Sequence, residues 1–576
     1  MNADAPLIDP LFTRIERVRI LILCMAVMGS AIAYSFRFIS FLHAKEAVLA
    51  LALLSFAIVS VKVRLPQRGF RPFAPLWGLI AFSLILCVAP GHVKVPTFSV
   101  LELLRLALLL LIVAHIYDLL SQGSWRFYLR MTVILSATLV GALGVLQFYG
   151  LASALFPAMD GYSQRVYSVF GNQDLFGGYL AMAVPLVLCE LRRSSRANWL
   201  FYPALILLIF ALMLSGSRSA WLATGVGVGM VLAVSGIRKR DAITAVGLIA
   251  VTVLLACFIA PEATVNRLKQ SFKQDDVGVH ARWWIWDGTV RMIRDHPIIG
   301  VGAGNYAYWS PYYLGEALQA DSGHTHYRNE LHTLHAHSDL LELFAETGLV
   351  GVVCVALFLW PLRRCRGPEW GALAALAVFA SLNATWQSPA HALVGLLLIA
   401  CLFARNDGTR APLSPPTRTR AWAMVGTSIG VALLTTVLLL VPSYRLSAAR
   451  AEYDSTNPSG MPFEALAETN WPNPAARRDT ALALIAKGEY TRAETYLVQA
   501  REGLDTGEVH FLQALIAMNA HDLDAAEDAL RECLWRWPGY LPAWEMLLQI
   551  LRSDTREAEL PAMRRWLNPE ELESLR

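Results

Sequence analysis

The chain has 576 residues, of which 55% are hydrophobic and 16% are charged, with a formal net charge of +4. Because an ordinary soluble domain carries about 25% charged residues, this composition excludes a soluble enzyme and a disordered or collagen-like chain. The small net charge gives no reason to expect nucleic acid as a partner. The apolar residues are concentrated in long unbroken runs, which predict a membrane protein.

Thirteen apolar runs approach the roughly 15–22 residues needed to cross ~30 Å of hydrocarbon. They lie near residues 20–36, 47–61, 75–89, 100–119, 131–149, 174–190, 199–214, 219–235, 243–260, 348–361, 370–386, 390–404 and 421–442. They predict an all-α fold, a polytopic bundle of about 12–13 transmembrane helices. The first run follows Arg14, Arg17 and Arg19 without a small-residue cleavage site, which favours a retained anchor.

Basic residues predict the orientation of this bundle. Three or four Lys and Arg residues stand in each of the connections 62–71, 192–196, 238–240, 363–366 and 405–420. The positive-inside rule places these connections and the N-terminus in the cytoplasm. Residues 150–173, 215–219 and 261–347, and everything after 442, are then expected on the opposite, extracytoplasmic side.

Helix bundles of this kind are most often transporters, whose paths contain ionisable residues or broken helices near mid-membrane. Intramembrane charges are few in this chain. Glu102 and Arg105 lie three residues apart on one helix face and are expected to pair. The polar residues gather instead in three outward segments, which are the candidates for function.

The first segment, 165–179, is rich in glycine and leads straight into a membrane helix. It is explained either as a turn capped by Asn172 or Asp174 or as part of a site. The second, 215–221, is a tight polar hairpin between two apolar helices. Its Arg218 is either an interfacial anchor or a functional side chain.

The third segment, 261–347, is far longer than an ordinary connection, and loops of this length are usually functional. Its histidines include His324, His326, His332, His335 and His337. With Asp339 they could supply a zinc or manganese site, since residues 332, 335 and 339 would share one helix face. The spacing is not that of a HExxH zinc protease, so a metal site is the less favoured interpretation.

The run from 336 to 349 contains His337-Ser338 and, ten residues after Ser338, Gly348. Gly351 lies two positions after the end of this run. The run closely resembles the hallmark of the O-antigen ligase/polymerase superfamily of bacterial membrane glycosyltransferases. That superfamily includes lipopolysaccharide O-antigen ligases, protein O-oligosaccharyltransferases and polysaccharide polymerases. The resemblance covers roughly residues 15–440.

Three further motifs carry the same resemblance in the family's order. The run 217–221 resembles the first arginine motif, and Arg282 with Trp286, followed by 296–302, resembles the second. The run 170–172 resembles the first outer loop, although Gln173-Asp174 replaces the usual Pro-Asn.

The resemblance implies transfer of a glycan from undecaprenyl pyrophosphate to an acceptor hydroxyl, at the periplasmic face of the bacterial inner membrane. It implies surface polysaccharide assembly. We expect no cofactor or metal, because two arginines can hold the leaving group. Ligase, polymerase and protein O-oligosaccharyltransferase differ only in the acceptor, which is a lipid, a growing glycan or a protein. The alternative of another class is a non-enzymatic lipid or polysaccharide transporter.

The expected catalytic residues are His337, Arg218 and Arg282. Two permanently charged guanidinium groups suit a departing pyrophosphate, and a histidine suits a base near neutral pH. Asp339, Glu342 and Glu346 are the candidates for orienting His337. The expected substrate-binding residues are Arg165, Asn172, Trp283, Trp286, Asn305, Tyr306, Asp339 and Glu346. The aromatic residues among them fit an interfacial belt equally well.

The composition changes abruptly after residue 442. The segment from Ala481 to Glu494 realigns with Ala514 to Glu527, 33 residues later. This period resembles tetratricopeptide repeats. We therefore predict a transmembrane domain over 1–442, a linker over 443–479 and a helical-repeat domain over 480–576, which either binds a protein partner or covers the site passively.

Overall fold

The computed structural model describes residues 14–61, 70–89, 91–151, 165–191, 198–234, 238–270, 277–320, 333–407, 418–452, 467 and 474–553. Within these ranges the regular structure is helical and contains no strand. The predicted all-α fold is confirmed. An α-helix pairs its backbone groups internally, which is what a run of apolar residues requires in a lipid bilayer.

Nine helices precede the long loop. They are α1 Arg14–Ile32, α2 Phe41–Ser60, α3 Ala74–Val88, α4 Pro96–Ile116, α5 Gly123–Phe148, α6 Gln173–Leu191, α7 Asn198–Leu214, α8 Arg218–Val234 and α9 Lys239–Ile259. The loop contributes α10 Arg267–Gln270, α11 Val277–Asp295 and α12 Tyr306–Ala320. Four bundle helices follow: α13 Asp339–Leu359, α14 Trp370–Ser381, α15 Pro389–Asp407 and α16 Arg418–Thr435.

All thirteen apolar runs fall on helices, α1–α9 and α13–α16. In the described part of the chain, eight helices are long and apolar enough to cross a membrane, and four more are apolar but shorter. The remaining helix, α1, has several charged residues in its first turns. The protein is thus a polytopic membrane bundle.

Helices α6 and α15 form the centre of the bundle, since 89% of each membrane window is buried. Close approach depends on small residues, as is usual in membranes. A Cβ on Gly227 of α8 would lie 2.7 Å from Pro185 of α6 and 3.0 Å from Ala375 of α14. Glycine at this position lets three helices meet.

A buried ion triad joins α5, α6 and α14 at one end of the bundle. Arg130 lies 2.6 Å from Glu190 and 2.9 Å from Glu369. The opposite end, where α6 begins, carries residues 165–172, 215–217, 277–320 and 333–338, and we call it the loop end. The expected pair of Glu102 and Arg105 is confirmed at 3.1 Å.

The chain continues through α17 Val441–Glu452 into five short helices, α18 Pro474–Ala486, α19 Tyr490–Arg501, α20 Gly507–Asn519, α21 Leu523–Arg536 and α22 Leu541–Ser553. Helices α17 and α18 extend into the predicted linker, because Arg450 pairs with Asp479 at 2.8 Å and gives both ends a packing partner. Short turns connect α18 to α19 and α20 to α21 as helix hairpins. Their assignment to tetratricopeptide repeats stays a prediction.

The C-terminal helices contact the long loop directly. The indole Nε1 of Trp535 on α21 donates to the carbonyl of Tyr312 on α12 at 3.3 Å. A Cβ on Gly315 would overlap the backbone of Trp535, so glycine permits this close approach. These C-terminal helices therefore pack on the loop end.

Candidate active site

The loop end gathers a cluster of arginines from separate segments. Arg165 precedes α6, Arg218 begins α8, Arg267 begins α10 and Arg282 lies on α11. The last three lie within electrostatic range of Arg165. We call these four residues the arginine cluster. The structure thus brings three arginines named from the sequence into one place.

Asp174 of α6 stands between members of the cluster. Its carboxylate lies 3.6 Å from Arg165 and 3.7 Å from Arg282. The hydroxyl of Ser217 donates to the same carboxylate at 2.6 Å. Sequence reasoning noted Asp174 as a possible helix cap and as a departure from the family pattern, but missed this contact.

The hairpin at 215–217 fixes Arg165. Its Nε donates to the carbonyl of Ser215 at 3.1 Å. Gly216 has φ of +61°, and a Cβ there would lie 2.9 Å from Arg165 Nε. The left-handed turn and the close approach both require glycine. Burial lowers the pKa of Arg165, the other arginines lower it further, and Asp174 opposes them.

Arg282 is held by a residue that sequence reasoning missed. Its Nη2 donates to Oδ1 of Asn383 at 3.4 Å, and Nδ2 of Asn383 donates to Ser219 at 2.9 Å. Asn383 follows α14, so the bundle and the long loop meet here. The only sequence signal was an amide inside the apolar run 370–386.

Of the two roles predicted for Asn172, helix capping and substrate binding, the structure describes the capping contacts. Its Oδ1 accepts from the backbone of Asp174 at 2.8 Å and of Leu175 at 3.1 Å. This is an N-terminal cap of α6. The cap orients the first turn that carries Asp174, while binding of substrate by Asn172 stays a prediction.

His337 has a constrained backbone immediately before α13. Its φ is +50°, in the left-handed region that costs a β-carbon residue free energy. The preceding residue, Ala336, is bonded on both sides: its N–H donates to Glu342 at 2.9 Å and its carbonyl accepts from Trp286 at 3.1 Å. Ser338 caps α13 next to it. These contacts hold His337 in one orientation.

The imidazole of His337 lies within electrostatic range of the cluster. Burial lowers its pKa, and the positive charges of Arg282 and His335 lower it further, against the opposing effect of Asp174 and Glu342. A histidine with a lowered pKa is neutral at pH 7 and able to accept a proton. His337 therefore lies within electrostatic range of Arg282, while the catalytic roles of both residues stay predictions.

A break in α13 explains the downstream glycine. Gly348 has φ of +60° and ψ of −160° inside the helix. The freed carbonyls of Ala345 and Glu346 accept from Val301 at 3.0 Å and Gly302 at 2.8 Å. A Cβ on Gly348 would overlap the backbone of Ile298. Pairing of the two backbones fixes the loop after α11 against the helix that begins beside His337.

Two predicted binding residues, Asn305 and Tyr306, hold the loop in place. Asn305 is fully buried and bonds to Val95 at the start of α4, at 2.8 Å through Oδ1. The hydroxyl of Tyr306 lies 2.8 Å from that of Thr289, and its N–H donates to Glu346 at 3.2 Å. These contacts do not reach the arginine cluster.

Asp339 joins α13 to the segment after α14. Its carboxylate accepts from the backbone N–H of Trp386 at 3.1 and 3.2 Å. Substrate roles for Asp339 and Glu346 stay predictions, since their described bonds are internal.

The tryptophans divide into two kinds. Trp283 is 61% exposed, and its ring lies 5.6 Å from that of Trp286. Trp286 instead anchors Ala336 through its indole nitrogen. Trp283 can therefore offer a flat face to a ligand, whereas Trp286 stabilises the backbone at His337.

An apolar cavity of about 350 Å³ lies beside this site, between α3, α4, α13, α14 and α15. Its walls are mainly aliphatic, and Glu102, Asp339, Glu342 and Glu346 also line it. Because Asp339 is two residues from His337, the cavity adjoins the candidate catalytic residues.

Of the residues in the metal alternative, His324, His326 and His332 lie outside the described ranges, whereas His335, His337 and Asp339 are described. Among the residues that are described, no three His, Cys, Asp or Glu side chains are grouped as metal ligands. The Nδ1 of His335 lies 2.9 Å from Glu342. This pairing gives His335 a role in fixing the loop.

Comparison with known proteins identifies the same region. Residues 203–356 match the family model described as O-Antigen ligase. The predicted resemblance to the O-antigen ligase/polymerase superfamily is confirmed over these residues. The matched segment of this O-antigen ligase-like chain contains Arg218, Arg282 and His337, and it ends after the break at Gly348.

Two curated proteins are similar to parts of the chain. An uncharacterized Haemophilus influenzae protein is 24% identical over 181 residues, 29% of this chain and 43% of that protein. A general O-oligosaccharyltransferase of Acinetobacter baylyi is 25% identical over 255 residues, 40% of this chain and 41% of that protein. The chain thus matches about two fifths of each relative's length.

Proposed function

We propose that this protein is a metal-independent, inverting glycosyltransferase. It transfers a glycan from an undecaprenyl-pyrophosphate-linked donor to an acceptor hydroxyl at the periplasmic face of the bacterial inner membrane. The observation that carries the proposal is the convergence of Arg165, Arg218 and Arg282 at the loop end, with His337 within electrostatic range of Arg282. The basic connections predicted to be cytoplasmic support this orientation.

The arginine cluster suits the pyrophosphate of the donor. Guanidinium groups stay charged at all physiological pH values and bind phosphate oxygens through two parallel hydrogen bonds. Arg165 and Arg282 are already held by Ser215 and Asn383, so little ordering is needed when an anion binds. The positive charge stabilises the leaving group as it departs.

His337 completes the displacement. The acceptor oxygen attacks the anomeric carbon, its proton passes to the neutral imidazole, and the bond from that carbon to the pyrophosphate oxygen breaks. The lipid pyrophosphate leaves with the bonding electron pair, and attack from the opposite face inverts the anomeric centre. The hydrogen bonds to Ala336 fix the backbone next to His337 and so restrict the positions that its imidazole can take for this step.

The neighbouring cavity suits the hydrocarbon part of a lipid-linked substrate. Its mainly aliphatic walls offer an apolar chain a surface similar to lipid hydrocarbon. Trp283, which is mostly exposed, suits stacking on a sugar ring.

The acceptor is the least constrained part of the proposal. Similarity to a protein described as a general O-oligosaccharyltransferase favours a protein hydroxyl as one candidate. Ligation to a lipid and polymerisation of a glycan remain the related alternatives. A non-enzymatic transporter is less favoured, because the arginine cluster lies at one end of the bundle and transporter sites lie near mid-membrane.

The test is a transfer assay with the purified full-length chain in liposomes and a lipid-linked donor. His337→Ala, Arg218→Ala and Arg282→Ala should each abolish most of the transfer. Arg291→Ala is the matched control, because Arg291 lies on α11 with Arg282 but pairs with Asp287 and Glu316. Near-normal rates in all three variants would show that the mechanism is wrong.

We further propose that the C-terminal helices recruit a protein partner or the acceptor. Contact between Trp535 and Tyr312 supports this, since it joins the repeats to a helix of the long loop. Deletion of 480–576 should change acceptor choice or complex formation. Unchanged behaviour would favour a passive cover.

A further inference from the structure

The arginine cluster contains its own anion. Asp174 reaches toward Arg165 and Arg282 from the first turn of α6, with a side chain that is 30% exposed. At 3.6 and 3.7 Å, these contacts are ion pairs that are longer than a hydrogen bond. Asp174 itself is held firmly, because Ser217 donates to it at 2.6 Å.

The two arginines are positioned by other groups. Arg165 bonds to the carbonyl of Ser215, and Arg282 bonds to the amide of Asn383. Both bonds are shorter than the corresponding distance to Asp174. The carboxylate therefore contributes mainly its charge, and its negative field acts on any anion that the arginines bind.

We propose that Asp174 weakens the binding of lipid pyrophosphate to the arginine cluster and thereby speeds release of this product. The inference rests on the proposed function. After glycan transfer the lipid pyrophosphate has one more ionisable oxygen than the glycosylated donor. Repulsion by a fixed carboxylate is therefore stronger for the product than for the donor.

The arginine cluster and the neighbouring cavity define the chemical class of the ligand. The ligand is an anion with two linked phosphates on an apolar chain, and the penalty depends on the charge at position 174 rather than on its shape. Asparagine has nearly the same shape without the charge. Glutamate keeps the charge.

The test measures binding of geranyl pyrophosphate to the purified full-length protein in detergent, by calorimetry at low salt. We expect Asp174→Asn and Asp174→Ala to bind about tenfold more tightly than the wild type, which corresponds to about 1.4 kcal/mol. Asp174→Glu should stay close to the wild type. The gain should shrink in about 1 M salt, where the Debye length falls to about 3 Å.

Asp287→Asn is the matched control, because this aspartate lies on α11 and pairs with Arg291. Its affinity for geranyl pyrophosphate should equal that of the wild type. In the transfer assay, the steady-state turnover of Asp174→Asn should fall several-fold relative to its own single-turnover rate, because release of lipid pyrophosphate becomes slower. Added geranyl pyrophosphate should also inhibit this variant more strongly.

The outcomes separate the inference from the proposed function. Arg282→Ala reports on the function: equal binding by this variant and the wild type would overturn both proposals. If Arg282→Ala binds more weakly but Asp174→Asn also binds more weakly or equally, only the role of Asp174 is overturned. Weaker binding by Asp174→Asn would mean that Asp174 orders the arginines.

Discussion

The two ends of the bundle use arginine and carboxylate in opposite ways. In the ion triad, Arg130 lies within 2.9 Å of two glutamates, and all three side chains are at most 2% exposed. At the loop end, Asp174 lies 3.6 Å or more from its arginines, and these side chains are 16–30% exposed. The triad is closed and has two carboxylates for one arginine, whereas the arginine cluster is open and Asp174 lies between two of its arginines.

The ion triad is suited to helix packing, whereas the arginine cluster is suited to binding a ligand. A buried arginine with two carboxylates close by fixes three helices and leaves no face for a ligand. Arg282 is partly exposed, its carboxylate partner is distant and its amide partner is neutral. It can therefore bind an anion. Variants at the two ends should therefore fail in different measurements.

The largest effect is expected at the triad. Arg130→Ala leaves Glu190 and Glu369 buried without their cation, and breaking such a group costs about 3–5 kcal/mol. Thermal unfolding of the purified protein should show a large fall in its midpoint. A variant that keeps the wild-type midpoint would show that the triad does not stabilise the bundle.

At the loop end, Arg282→Ala should lose about 100-fold to 1,000-fold in transfer rate, as expected for loss of a group that stabilises developing charge. Its thermal midpoint should stay near the wild-type value, because Arg282 is partly exposed. A large fall in the midpoint would contradict the distinction between the two ends. Arg291→Ala serves as the control on the same helix.

The break in α13 should give an intermediate effect. Gly348→Ala places a Cβ against Ile298 and in a left-handed backbone, which costs at least about 1–2 kcal/mol. Both stability and transfer should fall, because the loop that fixes His337 loses its backbone partner. Gly426→Ala on α16 is the control, since a Cβ there meets nothing within 4 Å.

The smallest effect concerns pH. Burial and nearby positive charges lower the pKa of His337, so the neutral base persists below the usual histidine value of about 6.5. The rate should therefore fall only as the pH drops through this lowered pKa. In the residual activity of Arg282→Gln, the acid limb should move upward. An acid limb above pH 6.5 in the wild type would contradict the assignment.

Sequence reasoning located the candidate residues better than it assigned their roles. Arg218, Arg282 and His337 were recognised from local motifs, and the structure places them at one end of the bundle. Asn305 and Tyr306 were expected to bind substrate, yet their described side-chain contacts tie the loop to α4 and α11. A motif shows that a residue type recurs at a spacing, but packing and binding residues give the same signal.

The linear sequence by itself determined the helices, because apolar runs of membrane length can satisfy their backbone only as helices. It also determined the order of the arginine and histidine motifs. The tertiary structure alone decided that Asp174 lies between two arginines, that Asn383 holds one of them, and that Glu342 and Trp286 clamp the residue before His337. Most of these contacts join residues on different helices, so they depend on how the helices pack, which no local pattern records.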